Sequence, residues 1–356
     1  MVLVKDFLTR RRNPERWSWT DALAYAYLAL GVILILAPVV WLFASSLKSQ
    51  RALTENDPRF LPWEQAQTVL PNETRPRSLF IHRAADGRER IVAFVRSAGA
   101  NVIVVDPANP SVELTLPRRE LRPYEVVQPR WRNYTGPTLE GGQFGTFPFL
   151  RYFWNSTFVT IVATVLTLLV SSMAAFGLSK YRFAGRSVFM MMIIMTLLLP
   201  ASVILVPLFV VVRSFGMLDS LWGVIIPAAA TPTGVFLLRQ YMLTIPDELI
   251  EAARMDAASE WTIFVKIILP LALPALAVLA ILSIIWRWND FLWPLIVLTR
   301  SETFTLQIGL SSFKGEQNEN IHELLAMTVL TLVPVTFVFA VLQKYITAGI
   351  ANTGLK

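Results

Sequence analysis

Hydrophobic and polar positions in this chain alternate on the scale of whole segments. Six long apolar runs, approximately 22–46, 155–178, 187–212, 221–241, 263–285 and 323–345, are separated by polar stretches. A bilayer core about 30 Å thick is crossed by roughly 20 apolar residues in a helix, so each run predicts a transmembrane helix. Lys5, Arg10, Arg11, Arg12 and Arg16 precede the first run, in the layout of a signal peptide. That run is too long, and no small-residue cleavage site follows it, so it reads as a retained anchor. Pro200 and Pro207 fall in the third run, and Pro270 and Pro274 in the fifth. Neighbouring helices in a bundle can re-satisfy the backbone groups that proline frees, which allows both packing kinks and a pore wall that bends.

Between the first and second runs the pattern shortens to the period of strands. Segments 78–83, 89–96, 101–106 and 111–116 are rich in Val, Ile and Phe, and Ala85-Asp86-Gly87, Ser97-Ala98-Gly99 and Pro107-Ala108-Asn109-Pro110 punctuate them as turns. Val112, Leu114 and Leu116 alternate with Glu113 and Thr115, as in a half-buried strand. The expectation is a small antiparallel meander, structural or partner-contacting in role. The predicted fold is an all-α polytopic membrane protein, with six transmembrane helices and a small extracytoplasmic mainly-β insert between helices 1 and 2. Its parts are a cytoplasmic segment 1–21, helix 1 at 22–46, the insert at 47–150, a five-helix core at 151–345 carrying a polar loop at 244–266, and a tail at 346–356.

Composition supports this reading. Of 356 residues, 54% are hydrophobic and only 16% charged, against about 25% charged in soluble domains. The net charge of +7 is not one patch that would point to nucleic acid. The basic residues instead orient the chain. With the amino terminus inside, Lys180, Arg182, Arg186, Arg239, Arg254, Lys266, Lys344 and Lys356 are all cytoplasmic, and the short loop near Arg213 and Asp219 is external. Arginines in the insert do not oppose this, because segments longer than about 60 residues translocate largely regardless of charge. The absence of cysteine excludes disulfides and thiolate chemistry, and two histidines, His82 and His322, make a histidine metal centre improbable.

The polar loop is the most informative segment. Pro246-Asp247-Glu248-Leu249-Ile250-Glu251-Ala252-Ala253-Arg254-Met255-Asp256-Ala257-Ala258 is acidic and helix-prone, yet lies between two apolar runs. Thr244 is expected to cap a first helix, with Pro246 in its first turn. Asp247 and Glu248 complement the helix dipole there. Ala252 and Ala253 leave a smooth surface for close approach by another protein. Ser259 is expected to cap a second helix, with Trp261 and Phe264 as apolar knobs on one face. This pattern resembles the Glu-Ala-Ala loop of ATP-binding-cassette importer permeases, because Glu251-Ala252-Ala253, Asp256, Phe264, Ile267, Leu269 and Pro270 recur at that family's spacing. The family usually has Gly where this chain has Ala257, so a bend needing positive φ would carry strain here.

Other segments resemble the maltose-type sugar permeases of that family. They are Phe153-Trp154-Asn155-Ser156, the basic turn from Phe176 through Lys180, Tyr181 and Arg186, Trp288-Asn289-Asp290-Phe291-Leu292-Trp293-Pro294-Leu295, and Thr305-Leu306-Gln307-Ile308-Gly309-Leu310. The tail is similar too, and the resemblance implies that Gly354 and Lys356 approach an ATPase. The family usually carries only a short loop where this chain has its insert.

The resemblance implies a bacterial inner-membrane subunit, both termini cytoplasmic, that pairs with a second homologous permease, two ATPase subunits and an external solute-binding protein. Its cargo would be a carbohydrate, and Glu248, Glu251, Ala252, Ala253, Asp256, Ala257, Trp261 and Phe264 would form the ATPase coupling element. No Walker A sequence is present, since Lys356 follows Gly354 one place late and no Ser or Thr comes after it. No cofactor is therefore expected in this chain, with ATP and Mg on the partner ATPase, and no catalytic or metal constellation is visible. Trp286, Arg287, Trp288, Asn289 and Asp290 lie where the fifth run ends. Their aromatic and amide groups suit sugar binding, but tryptophans also form interfacial belts, so Trp286, Trp288, Asn289 and Asp290 remain candidates for a substrate pathway. The rival reading is an ion-coupled secondary transporter, which needs intramembrane ionisable residues or inverted repeats.

Overall fold

The computed structural model describes residues 19–54, 59–71, 75–83, 88–139, 148–312 and 321–353. The chain divides into two compact units, Met1–Arg130 and Trp131–Lys356.

The first unit begins with α1 (Trp19–Ser46), apolar throughout and exposed along nearly its whole length, as a lipid-facing helix should be. It is followed by the short α2 (Gln50–Thr54). Below α1 the chain turns polar and buried. Lys48 Nζ donates to Arg59 O and lies 4.6 Å from the centre of the Trp41 ring. Strand β1 (Trp63–Gln65) lies ahead of β2 (Gln67–Val69), β3 (Pro76–Arg83), β4 (Glu89–Ala98), β5 (Asn101–Asp106), β6 (Asn109–Pro117), β7 (Leu121–Pro123) and β8 (Glu125–Val127).

The central four strands form the expected antiparallel meander, β3-β4-β5-β6, with β2 and β7 sharing the free edge of β3. Gly99, at φ 64°, makes the turn between β4 and β5, where a left-handed residue is needed. Strand β5 is buried on both faces: Val102 and Val104 join Val92 on one side, and Val105 meets Ala93 and Leu70 on the other. The expected half-burial of β6 is not found. Strand β6 is an edge strand, and Val112 and Leu114 are 52% and 41% exposed, while Leu116 alone packs inward. The two ends of the insert are closed on each other. Strand β1 pairs with β8, and buried Glu64 accepts from Arg130 Nε at 2.7 Å and from Ser49 N at 3.0 Å.

In the second unit α3 (Arg132–Leu139) precedes α4 (Phe149–Lys180), the 32-residue axis of the bundle. Then come α5 (Arg186–Leu197), α6 (Ala201–Ser214), α7 (Leu221–Ile225) and α8 (Pro232–Met242), with a 3₁₀ turn Ile226–Ala228 after α7. Next are α9 (Glu248–Met255), α10 (Glu260–Ile263), α11 (Leu273–Trp288), α12 (Leu292–Val297), α13 (Leu306–Ser312) and α14 (Ile321–Thr353). Helix α4 packs against α8 and α11, and α11 packs against α14.

Among the described residues, four helical segments are long and apolar enough to cross a membrane, and six if each of two bent pairs counts as one span. The third predicted run bends by 107° between α5 and α6, and the fifth by 76° between Glu260–Leu271 and α11. Proline accounts for both breaks. Pro200 stands at the start of α6, and Pro274 lies in the first turn of α11, positions where a missing N–H is harmless and where proline cannot donate to the turn before it.

Candidate functional site

The polar loop is braced by the end of α4. After α8, Thr244 does not cap the following helix as expected. Its hydroxyl donates back to Tyr241 O at 2.7 Å, and the residue preceding α9 is Asp247. The Asp247 carboxylate is held instead by Lys180 Nζ at 2.6 Å, and the same ammonium donates to Ile245 O. This bond holds the Asp247 carboxyl below its usual range. Helix α9 is amphipathic over its eight residues. Ile250 and Ala253 point into a cluster with Ile245, Ile263 and Phe264, and Glu248, Leu249, Glu251 and Ala252 face outward. The two alanines therefore separate. Only Ala252 contributes to an open surface, and Ala253 is a packing residue.

The bend after α9 is a Schellman motif: Ala258 N donates to Ala253 O and Ala257 N to Arg254 O, each at 3.0 Å. Ala257 occupies the left-handed position with φ 58°, where Gly is usual. The anticipated strain is thus present, and the turn keeps its geometry despite it. Asp256 is exposed beside it. Ser259 caps α10 as expected, accepting from Thr262 N at 3.2 Å. The expected pair of apolar knobs is only half realised. Trp261 is 60% exposed, whereas Phe264 is 4% exposed and packs against Phe176 with the rings tilted, 5.4 Å between their centres. A π-helical turn, Phe264–Ile268, carries the chain from the loop into the fifth run.

Tyr181 completes the bracing. Its hydroxyl hydrogen-bonds Glu260, and Arg254, which reaches Glu260 Oε1 at 2.9 Å, lies 5.8 Å from the Tyr181 ring centre. Burial and the bond to Glu260 push the Tyr181 phenol up to about 12. The basic turn and the acidic loop, read separately in the sequence, are one hydrogen-bonded assembly. A second pair of sequence-flagged segments also meets. Asn155 Nδ2 donates to Glu302 O and Phe304 O, each at 3.0 Å, and Ser156 Oγ accepts from Leu306 N at 2.7 Å.

The span-end candidates disperse. Trp288 is buried, donates Nε1–H to Thr331 O at 3.0 Å and meets Phe153 edge-on, so it joins α11 to α14 and α4. Trp286 is half exposed, and Asn289 bonds its own helix at Ile285 O. Asp290 accepts from Trp293 N at 3.4 Å, at the start of α12. Gly354 and Lys356 lie outside the described residues.

Arg287 has a larger role than its place at a span end suggested. Its guanidinium donates to Ser283 Oγ and Ala228 O, and to Thr167 Oγ1 at 2.7 Å, while Thr164 and Ser283 share a bond of 2.8 Å. A cation inside the bundle is thus solvated by hydroxyls and ties α11 to α4 and to the 3₁₀ turn after α7. The sequence signal was the hydroxyl spacing Ser156, Thr160, Thr164, Thr167, Ser171, one face of an otherwise apolar helix.

Residues 167–352 match the family described as the inner membrane component of binding-protein-dependent transport systems. The arabinooligosaccharides transport system permease protein AraQ of Halalkalibacterium halodurans is 42% identical over 205 residues, 58% of this chain and 74% of that protein. The sn-glycerol-3-phosphate transport system permease protein UgpE of Pectobacterium atrosepticum is 33% identical over 225 residues, 63% of this chain and 80% of that one. In fold, the chain resembles a chain of a bacterial ABC transporter involved in the import of the acidic polysaccharide alginate. The TM-score is 0.65 at 24% identity, over 93% of this chain and 99% of that one. That coverage takes in part of the β insert, so an enlarged insert has a counterpart in a solved structure. With a family match over more than half of the chain and permease relatives at 33–42% identity, the chain is a membrane transport subunit rather than an enzyme, and it belongs to the inner membrane components of binding-protein-dependent transport systems.

Proposed function

We propose that this chain forms half of the translocation pathway of a carbohydrate importer and transmits the ATPase stroke through α9. The observation that carries this reading is the outward face of α9, where Glu248, Glu251 and Ala252 stand clear while Lys180, Tyr181 and Phe176 of the α4 end hold the helix from behind. A helix braced in this way moves with α4, so a push on it reaches the bundle directly. In the assembly, a second homologous permease supplies the other half of the pathway, two ATPase subunits hold ATP and Mg²⁺, and an extracytoplasmic binding protein delivers the solute. Both termini and α9 are cytoplasmic, and the β insert is outside.

The carbohydrate class rests on the relatives, whose names specify arabinooligosaccharides and a glycerol phosphate. The test is purification of the complex with its binding protein, followed by uptake into vesicles over a panel of oligosaccharides, polyols and glycerol phosphates. ATP-dependent uptake of at least one of them is expected. Uptake driven by an ion gradient with this chain alone would overturn the reading.

A further inference from the structure

A cavity of about 420 Å³ opens at the start of α5. It is lined by Arg186, Ser187, Met190, Met191, Ile194, Met195 and Arg239. Its two ends differ in chemistry. At one end are two guanidiniums, and the rest is a methionine and isoleucine wall whose Met191, Ile194 and Met195 are exposed.

Among the described residues, neither arginine has a carboxylate partner. Arg186 donates to Tyr181 O at 3.3 Å and Ser179 O at 3.2 Å, and Arg239 Nε donates to Leu178 O at 3.0 Å. All three acceptors are carbonyls at the end of α4, which fixes the guanidiniums in place and engages them with the negative end of the helix without supplying a full countercharge. Asp247 is the acidic group that feels Arg186, but its carboxylate is bonded to Lys180 at 2.6 Å. Two fixed cations this close repel each other unless an anion lies between them.

We infer that this cavity binds one anionic phospholipid of the cytoplasmic leaflet, with its phosphate between Arg186 and Arg239 and an acyl chain along Met190, Met191, Ile194 and Met195. Charge complementarity selects an anion, and the flexible apolar wall selects one that carries a hydrocarbon chain. A soluble sugar or nucleotide would satisfy the first condition or neither. The inference rests on the proposed orientation, which puts the start of α5 at the cytoplasmic headgroup level. Because Arg186 and Tyr181 belong to the turn that braces α9, an occupied site would also steady the coupling loop.

The test uses the purified transporter in detergent and follows lipid occupancy by native mass spectrometry, with thermal unfolding in parallel. Phosphatidylglycerol, phosphatidylethanolamine and inorganic phosphate are the probes. The wild type is expected to retain phosphatidylglycerol and be stabilised by it, with phosphatidylethanolamine and inorganic phosphate giving neither effect. Arg186→Gln with Arg239→Gln should weaken phosphatidylglycerol binding about thirtyfold, equivalent to about 2 kcal/mol for two cations. Those substitutions also remove caps from α4, so Ser187→Glu serves as the second variant. It leaves both arginines in place, puts a carboxylate in the lipid's position and should give the same loss. Equal retention of both lipids, equal protection by inorganic phosphate, or undiminished binding by Ser187→Glu would overturn the proposal. So would efficient cross-linking of Met195→Cys, in this cysteine-free chain, to the second permease. ATP-driven uptake measured on the same preparations reports on the importer reading separately.

Discussion

The separation of Ala252 from Ala253 gives the sharpest prediction about the loop. Leucine at either position adds the same three carbons, in opposite surroundings. At 253 they enter a closed cluster: Ala253 is 9% exposed and its neighbours Ile250, Ile263 and Phe264 are 3%, 0% and 4% exposed. Overpacking a core of this kind costs about 1–3 kcal/mol. At 252 they project into open space, and an exposed substitution usually changes stability by less than about 0.5 kcal/mol. Under the proposed docking of α9 on the ATPase, however, the same three carbons would meet that subunit. A tenfold loss of coupling needs only about 1.4 kcal/mol of lost contact. Thermal unfolding of each purified variant in detergent, paired with ATP-driven uptake in reconstituted vesicles, separates the two effects. Ala252→Leu is expected to unfold like the wild type and lose at least tenfold in uptake. Ala253→Leu is expected to lose both stability and uptake. Normal uptake by Ala252→Leu, or unaltered stability of Ala253→Leu, would refute the assigned faces of α9.

Three further outcomes follow from local geometry. Ala257→Gly should raise stability by about 0.5–1 kcal/mol, since relief of a left-handed alanine, about 1–2 kcal/mol, exceeds the added freedom of the unfolded chain; a lower unfolding temperature would contradict the φ of 58°. Gly223→Ala should prevent accumulation of folded protein in the membrane, because its Cβ would sit 2.2 Å from Met217 O, a backbone atom that cannot step aside; normal expression and melting would count against this packing of α7. The Tyr181 phenol has a folded pKa raised from 10.0 to about 12, so its contribution is complete below pH 10 and is lost as pH rises through about 12. Asp247 is shifted the other way, so its contribution is present above its ordinary value of 3.8 and is lost as pH falls below it. Tyr181→Phe should abolish the alkaline part of this profile, and Asp247→Asn the acid part, in pH-dependent unfolding.

Much of this architecture was legible in the sequence because the signals are long or redundant. Apolar runs of bilayer length announced the helices, and turn residues between Val- and Ile-rich runs announced β3 to β6. The Ala257 anomaly was visible as a departure from a spacing and is realised as a positive φ. What escaped depends on distance in space. Nothing local to Ala252 and Ala253 says which of them faces Phe264, since that is set by how α9 lies against α4. Thr244 had a good capping side chain, but Lys180, more than sixty residues away, took Asp247 and fixed where the helix begins. Val112 and Leu114 alternate correctly, yet β6 is the last strand of its sheet, so the alternation has nothing to bury them against. Arg287 was hidden at the end of an apolar run, and two of its acceptors, the Thr167 hydroxyl and the Ala228 carbonyl, come from other elements.

The central claim is that α9 is the point at which ATP hydrolysis acts on this chain. Glu251→Lys reverses an exposed charge on that face without touching the buried cluster, and reversing one charge in a docked interface costs about 2–5 kcal/mol. The decisive measurement is ATP-driven uptake by the reconstituted complex carrying Glu251→Lys, normalised to the amount of chain in the membrane. The account predicts normal insertion with uptake reduced at least thirtyfold; uptake at the wild-type rate would contradict it.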